Sequence, residues 1–239
     1  MNMDIEIAHP HRVAIYYAPA PQSDWWQAGS GWLGRCARTG QALAQPAIRG
    51  ISPELQATLT ADPRRYGWHA TLKAPFSLAT GQTLESLRVA LRRLCEGRAP
   101  FELAPLQVCR MDSFLALRPD RQQAELERLA SDCVQHLQPL ARPLSDAELA
   151  RRRRAALTPE QDALLQAWGY PYVLEHFRFH LSLTGPLDAL SPEQIGSLIE
   201  AASIRFHALP APRIDGLSIF VEPTSGADFQ WLEQIDFQP

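Results

Sequence analysis

The sequence predicts an α+β fold built from a duplicated unit, with antiparallel sheets forming a central cleft and helices on the outside. Two observations carry this prediction. Trp68-His69-Ala70-Thr71-Leu72 and Phe179-His180-Leu181-Ser182-Leu183 share one pattern of aromatic, histidine, apolar, hydroxyl and leucine residues. Each is followed by a turn, a helical stripe and a pair of strand-like segments, so one order of elements occurs twice. The 239 residues suit one bilobal domain. Its first lobe is expected over roughly 55–120. The second is expected over 172–239 together with a strand at 12–18, and a helical connection over 121–170.

Val13 to Tyr17 is rich in β-branched and aromatic residues and stops before Pro19 and Pro21, as a strand does. Ser23 to Gly50 holds Trp25, Trp26 and Trp32 among several glycines without a clear period, which predicts a long loop with short helical pieces and the tryptophans packed beneath it. Ser52 and Pro53 form a helix start, and Asp62-Pro63 is expected to end that helix. The first motif strand is expected over 67–76. Leu84, Leu87, Leu91 and Leu94 then recur at helical spacing up to Cys95, with Gly97 just beyond.

Residues 101–108 and 113–117 read as an antiparallel pair, and 124–137 returns to helix. Two more helices are expected over 146–157 and 159–168, the second capped by Thr158. The second motif strand is expected over 175–184, closed by Gly185-Pro186. Ser191-Pro192 caps a helix ending near His207, and strands over 214–221 and 229–237 complete the chain.

Alternate residues of a strand share a face. On the first motif strand this groups His69, Thr71 and Lys73; on the second it groups His176, Arg178, His180 and Ser182. Imidazoles titrate near neutrality, so one can accept a proton while another gives one. Hydroxyls and cations are donors for phosphate oxygens. The combination points to acid–base chemistry on a phosphate ester, with no metal and no cofactor required.

The two motifs resemble the paired H-x-[ST] signatures of the two-histidine (2H) phosphoesterase superfamily, whose fold is bilobal and duplicated. Tyr16-Tyr17-Ala18-Pro19, Gly29 to Arg35, His69 to Phe76 and His176 to Gly185 are similar, more narrowly, to an uncharacterised branch associated with phosphonate metabolism. The resemblance covers nearly the whole chain. It implies a metal-independent cyclic phosphodiesterase acting on a cyclic phosphate or 2′-5′ phosphodiester. His69 and His180 would be the catalytic pair and Thr71 and Ser182 the phosphate donors. Lys73, His176 and Arg178 join them as substrate-binding candidates by strand parity.

His176 and His180 have the spacing of two zinc ligands on a helix, but in a strand they stand roughly 13 Å apart. Arg151 to Arg154 reads as a solvated face. The four cysteines show no C-x-x-C pair and read as free thiols, and no P-loop or dinucleotide-binding glycine pattern is present. A net charge of −3 argues against broad capture of RNA or of an anionic membrane. The polar start, Met1 to His11, lacks a secretory core, so the cytoplasm is the expected location. A small phosphorylated substrate is the expected partner. The alternatives are a non-catalytic protein that binds a phosphorylated metabolite, and 2′-5′ processing or ligation of RNA ends.

Overall fold

The computed structural model describes residues 9–154 and 156–239, so most of the polar start and Ala155 lie outside the described residues. The architecture is mixed α/β with antiparallel sheets and no barrel. Its main sheet orders four strands as β2 (Ala70–Phe76), β1 (Arg12–Tyr17), β8 (Gly216–Glu222) and β9 (Gln230–Asp236). A second sheet orders β4 (Leu106–Met111), β5 (Phe114–Pro119) and the two-residue β6 (Leu181–Ser182). A small ladder joins β3 (Phe101–Glu102) to β7 (Arg213–Ile214). β1 therefore carries β2 on one edge and β8, from the end of the chain, on the other, while β6 of the second motif pairs with β5 in the other sheet.

β1 organises the main sheet because it is hydrogen-bonded on both edges and buried on both faces. Val13, Ile15 and Tyr17 enter the principal core with Leu87 and Leu91 of α4 (Leu84–Cys95) and Leu129 and Cys133 of α5 (Ala124–Leu137). Ala14 and Tyr16 enter a smaller cluster with Trp26, Phe220 and Phe229 on the opposite face. α4 carries its leucines at the spacing that makes one apolar stripe, and a Thr83–Ser86 capping box fixes its start.

Ser23 to Gly50 departs from the expected loop. It opens with α1 (Asp24–Leu33), capped by Ser23 and ended by Gly34 in the left-handed conformation. This helix is buried on nearly every side, including Trp25, Trp26 and Trp32, so it has no polar face to produce a readable period. Asp62-Pro63 does not end a helix either. α2 (Pro53–Leu59) stops first, and Pro63 lies in the first turn of α3 (Ala61–Tyr66), where a missing N–H costs nothing. α6 (Asp146–Arg152) ends sooner than expected, while α7 (Pro159–Trp168) and α8 (Pro192–His207) keep their expected bounds. No described helix is long and apolar enough to cross a membrane.

Gly29 is where α1 meets the first motif. A Cβ there would fall 2.0 Å from Cδ2 of Trp68, the residue preceding His69. Gly29→Ala gains about 1 kcal/mol of helix propensity but overpacks a fully buried indole, a change that typically costs 1–3 kcal/mol and more against an immobile ring. The expected outcome is net destabilisation, seen as a fall of several degrees in the thermal unfolding midpoint. An unchanged or raised midpoint would mean that α1 moves freely relative to Trp68.

Candidate active site

The strands β2 and β6 lie at edges of their respective sheets and both line one cavity of about 280 Å³. His69 and Thr71 come from β2 and its approach, His180 and Ser182 from β6 and its approach, all four on the cavity wall. Two segments 111 residues apart thus converge. Tyr16, Asp62, Tyr66 and Tyr170 complete the polar lining.

Both imidazoles are held in the same way. His69 Nδ1–H donates to the carbonyl of Gly67 at 2.9 Å, and His180 Nδ1–H donates to the carbonyl of Arg178 at 2.7 Å. A carbonyl can only accept, so in each ring the proton of the neutral form sits on Nδ1 and Nε2 keeps its lone pair. Thr71 Oγ1 lies 3.3 Å from His69 Nε2, at the position of a donor to that lone pair. The His69 ring stacks on Tyr16 with centroids 3.8 Å apart, and Tyr66 and Phe220 flank it. His180 is less enclosed, with Phe114 at 5.7 Å.

Burial pushes the His69 pKa down to about 4; the Gly67 carbonyl opposes this and the nearby His180 adds to it. His180 is also lowered, by burial first, then by the charges of Arg118 and Arg178, against the Arg178 carbonyl. Both rings are therefore neutral acceptors at pH 7. Burial pushes the Tyr170 hydroxyl up to about 12, so it stays protonated and can donate.

The strand-parity candidates part company with this group. The pairing of β1 with β2 is interrupted between Ile15 and Tyr16, which face Lys73 and Thr71. The resulting bulge flips the alternation, so Ala74 follows Thr71 on the cavity side and Lys73 turns the other way. Its Nζ donates to the Val134 carbonyl at 3.2 Å and to Gln138 Oε1 at 2.9 Å.

The second motif strand is shorter than expected. Beyond Leu181, opposite Leu117, the next partners on β5 would be Arg118 and Pro119, and Pro119 has no N–H to extend the ladder. A 3-10 turn over Leu174–His176 occupies the expected strand start. His176 and Arg178 do not line the His69–His180 cavity; Arg178 lines another with Arg118. Sequence reasoning missed Tyr16, Tyr66 and Tyr170 as lining residues. Only Tyr16, on a predicted strand, carried a positional signal.

A family model described as a protein of unknown function (DUF1045) matches residues 71–230. A protein of Janthinobacterium sp. (strain Marseille), named ribose 1,5-bisphosphate phosphokinase PhnN, is 42% identical over 229 residues, covering 95% of this chain and 51% of that protein. A protein of the same name from Laribacter hongkongensis (strain HLHK9) is 39% identical over 219 residues, covering 92% of this chain and 50% of that protein. The chain spans about half the length of these curated relatives. Their names overturn the expectation of a cyclic phosphodiesterase, because both are named as phosphokinases and neither as a phosphoric diester hydrolase.

The depressed histidines make stability depend on pH. Between about 6.5 and about 4 the unfolded chain binds a proton at His69 that the folded chain refuses, so stability falls as the pH falls through that window and is fully present above it. Urea unfolding at pH 7.5, 6, 5 and 4 checks this against His69→Gln, which should flatten the dependence. An equal slope in the variant would remove His69 as its cause.

Proposed function

The chain belongs to the DUF1045 family of proteins of unknown function, and from that footing we propose that its cavity performs phosphoryl transfer between oxygen atoms on a small phosphorylated sugar of the ribosyl phosphate class. The observation that carries this reading is the matched pair of imidazoles, each pinned through Nδ1 so that Nε2 keeps its lone pair, lining one small cavity. Phosphoryl transfer between oxygens needs one proton acceptor for the attacking hydroxyl and one donor for the leaving oxygen. Two imidazoles meet both needs. The names of the relatives support ribose phosphates as the substrate class, and the sequence resemblance supports a place in phosphonate breakdown.

In the empty cavity both rings are neutral and neither is an acid. An arriving phosphate dianion favours the protonated form of a nearby imidazole and raises its pKa. His180, less deeply enclosed than His69, takes the proton first and becomes the donor. His69, clamped on Tyr16, stays neutral and becomes the acceptor. Thr71, Ser182 and the Tyr170 hydroxyl offer donors to the non-bridging oxygens as charge develops. The duplicated order of elements, β2-α4-β3-β4-β5 and β6-α8-β7-β8-β9, supports descent of both half-sites from one ancestral unit.

Two measurements test this. Calorimetric titration of ribose 1,5-bisphosphate at pH 7.5 in buffers of different ionisation enthalpy should reveal proton uptake approaching one per site, abolished in His180→Ala. Phosphorus NMR of ribose phosphates with the protein should show conversion, lowered by 10²–10⁴-fold in His69→Ala and in His180→Ala. Binding with proton uptake but without conversion would replace the enzyme by a metabolite-binding protein. No binding would remove the reading altogether.

A further inference from the structure

A second cavity, of about 320 Å³, adjoins the first and shares Ala74, Pro75 and Tyr170 with it. Its cations come from four separate parts of the chain. Arg12 opens β1, Lys73 lies on β2, Arg142 precedes α6 and Arg152 ends it. Its one lining carboxylate, Glu148, is already engaged. It caps Ser145 N–H at 2.9 Å and accepts from Arg142 at 3.2 Å, and these contacts hold its carboxyl down at about 2 although burial acts the other way. Arg12 is bound to the fully buried Glu222 at 2.5 Å, and Glu222 is shared with Arg65 at 2.5 Å.

That leaves two cations outside any direct ion pair, Lys73 and Arg152. Lys73 is 3% exposed, and its ammonium contacts the oxygens of Val134 and Gln138 and lies 5.1 Å from the centroid of the Phe76 ring, partners that are all uncharged. Arg152 donates to the carbonyl of Gly169. Among the described residues, neither approaches a carboxylate within 4.0 Å. A buried, unpaired cation is costly in a protein interior and is ordinarily compensated. The Val134 carbonyl, in the last turn of α5, offsets part of this cost through the helix dipole and leaves the net charge in place. Burial lowers the pKa of Lys73 to about 8 and lowers that of Arg152, where the charge of Glu148 opposes the shift and Arg12 and Arg151 add repulsion. An anion between these groups would reverse both effects at once.

We propose that this basic cavity is a second phosphate subsite, so that a sugar carrying two phosphates binds with one between His69 and His180 and the other among Lys73, Arg152 and Arg12. The inference rests on the phosphorylated-sugar reading of the first cavity and narrows it from ribosyl phosphates in general to bisphosphates. Tyr170, on the wall common to both cavities, is placed to pack against the sugar that joins them. Guanidinium groups suit this task because their planar forks match phosphate oxygens.

The test measures affinities of the full chain for ribose 1,5-bisphosphate, ribose 5-phosphate and inorganic phosphate by calorimetry. The expected result is a bisphosphate advantage of at least tenfold over the monophosphate. Arg152→Gln should reduce that ratio to less than threefold, and Arg152→Lys should restore part of it. Lys73→Met supplies an independent variant, with the same expected collapse, should Arg152→Gln unfold. His69→Ala should weaken both sugars and keep the ratio. Equal affinity for the two sugars in the native protein, or an unchanged ratio in both Arg152→Gln and Lys73→Met, overturns the second subsite and leaves the first cavity's reading standing. Failure of both sugars to bind overturns the two together.

Discussion

β1 is hydrogen-bonded along both edges, and the arrangement of the cleft follows from that pairing. Its partner on one side is the first motif strand; on the other it is β8, from the end of the chain. The sheet is therefore completed only after the whole chain is made, and β2 is left at its edge. An edge strand has a free side, and residues of β2 and of β6, the edge of the second sheet, line one cavity. Unpaired edges invite association with other chains. In this fold the region between the two edges is a cavity lined by polar side chains.

Within that frame the backbone sets the chemistry. Gly67 and Arg178 place their carbonyls two residues upstream of the histidines and so fix both tautomers. Gly67 does this at φ 80, a conformation that side chains strain to adopt, and a Cβ there would lie 2.5 Å from Cβ of Ala37. The bulge in β2 has an equally specific consequence. By turning Lys73 away from Thr71, it keeps an ammonium out of contact with the imidazoles, where a fixed positive charge would depress them further. The same turn delivers that ammonium to the adjoining basic cavity. One irregularity in one strand separates the cavity of the two neutral imidazoles from the cavity that holds Lys73.

Much of this was legible in the chain itself. The helices at 84–95, 124–137, 159–168 and 192–207 were read with their observed ends because their apolar residues recur on one face and, in all but the second, a capping box marks the start. The convergence of His69, Thr71, His180 and Ser182 was legible because the repeat doubled a signal that neither half carried alone. What failed depended on tertiary surroundings. Helix α1 is enclosed on nearly all sides, so burial erased the contrast from which a period is read. Lys73 was misplaced by a bulge, which leaves no mark in residue spacing. His176 and Arg178 were misplaced because a ladder depends on its partner, and the partner here is Pro119. The three lining tyrosines come from separate elements, and only the fold brings them together.

The resemblance that suggested a diesterase and the relatives named as kinases share one requirement at the level of atoms. In each case an oxygen attacks phosphorus while another leaves, and protons must be moved at both. A site that meets this requirement needs two titratable groups on opposite sides of the phosphorus, held apart so that they do not pair with each other. The unequal surroundings of the two rings supply more than that. His69 is packed against Tyr16 and driven far below its ordinary pKa, whereas His180 sits at the end of a two-residue strand with only Phe114 beside it. Two identical imidazoles would compete for the proton taken up from solvent when a phosphate dianion binds. Unequal ones would divide the roles before the ligand arrives, the less enclosed ring taking the proton and the clamped ring keeping its lone pair.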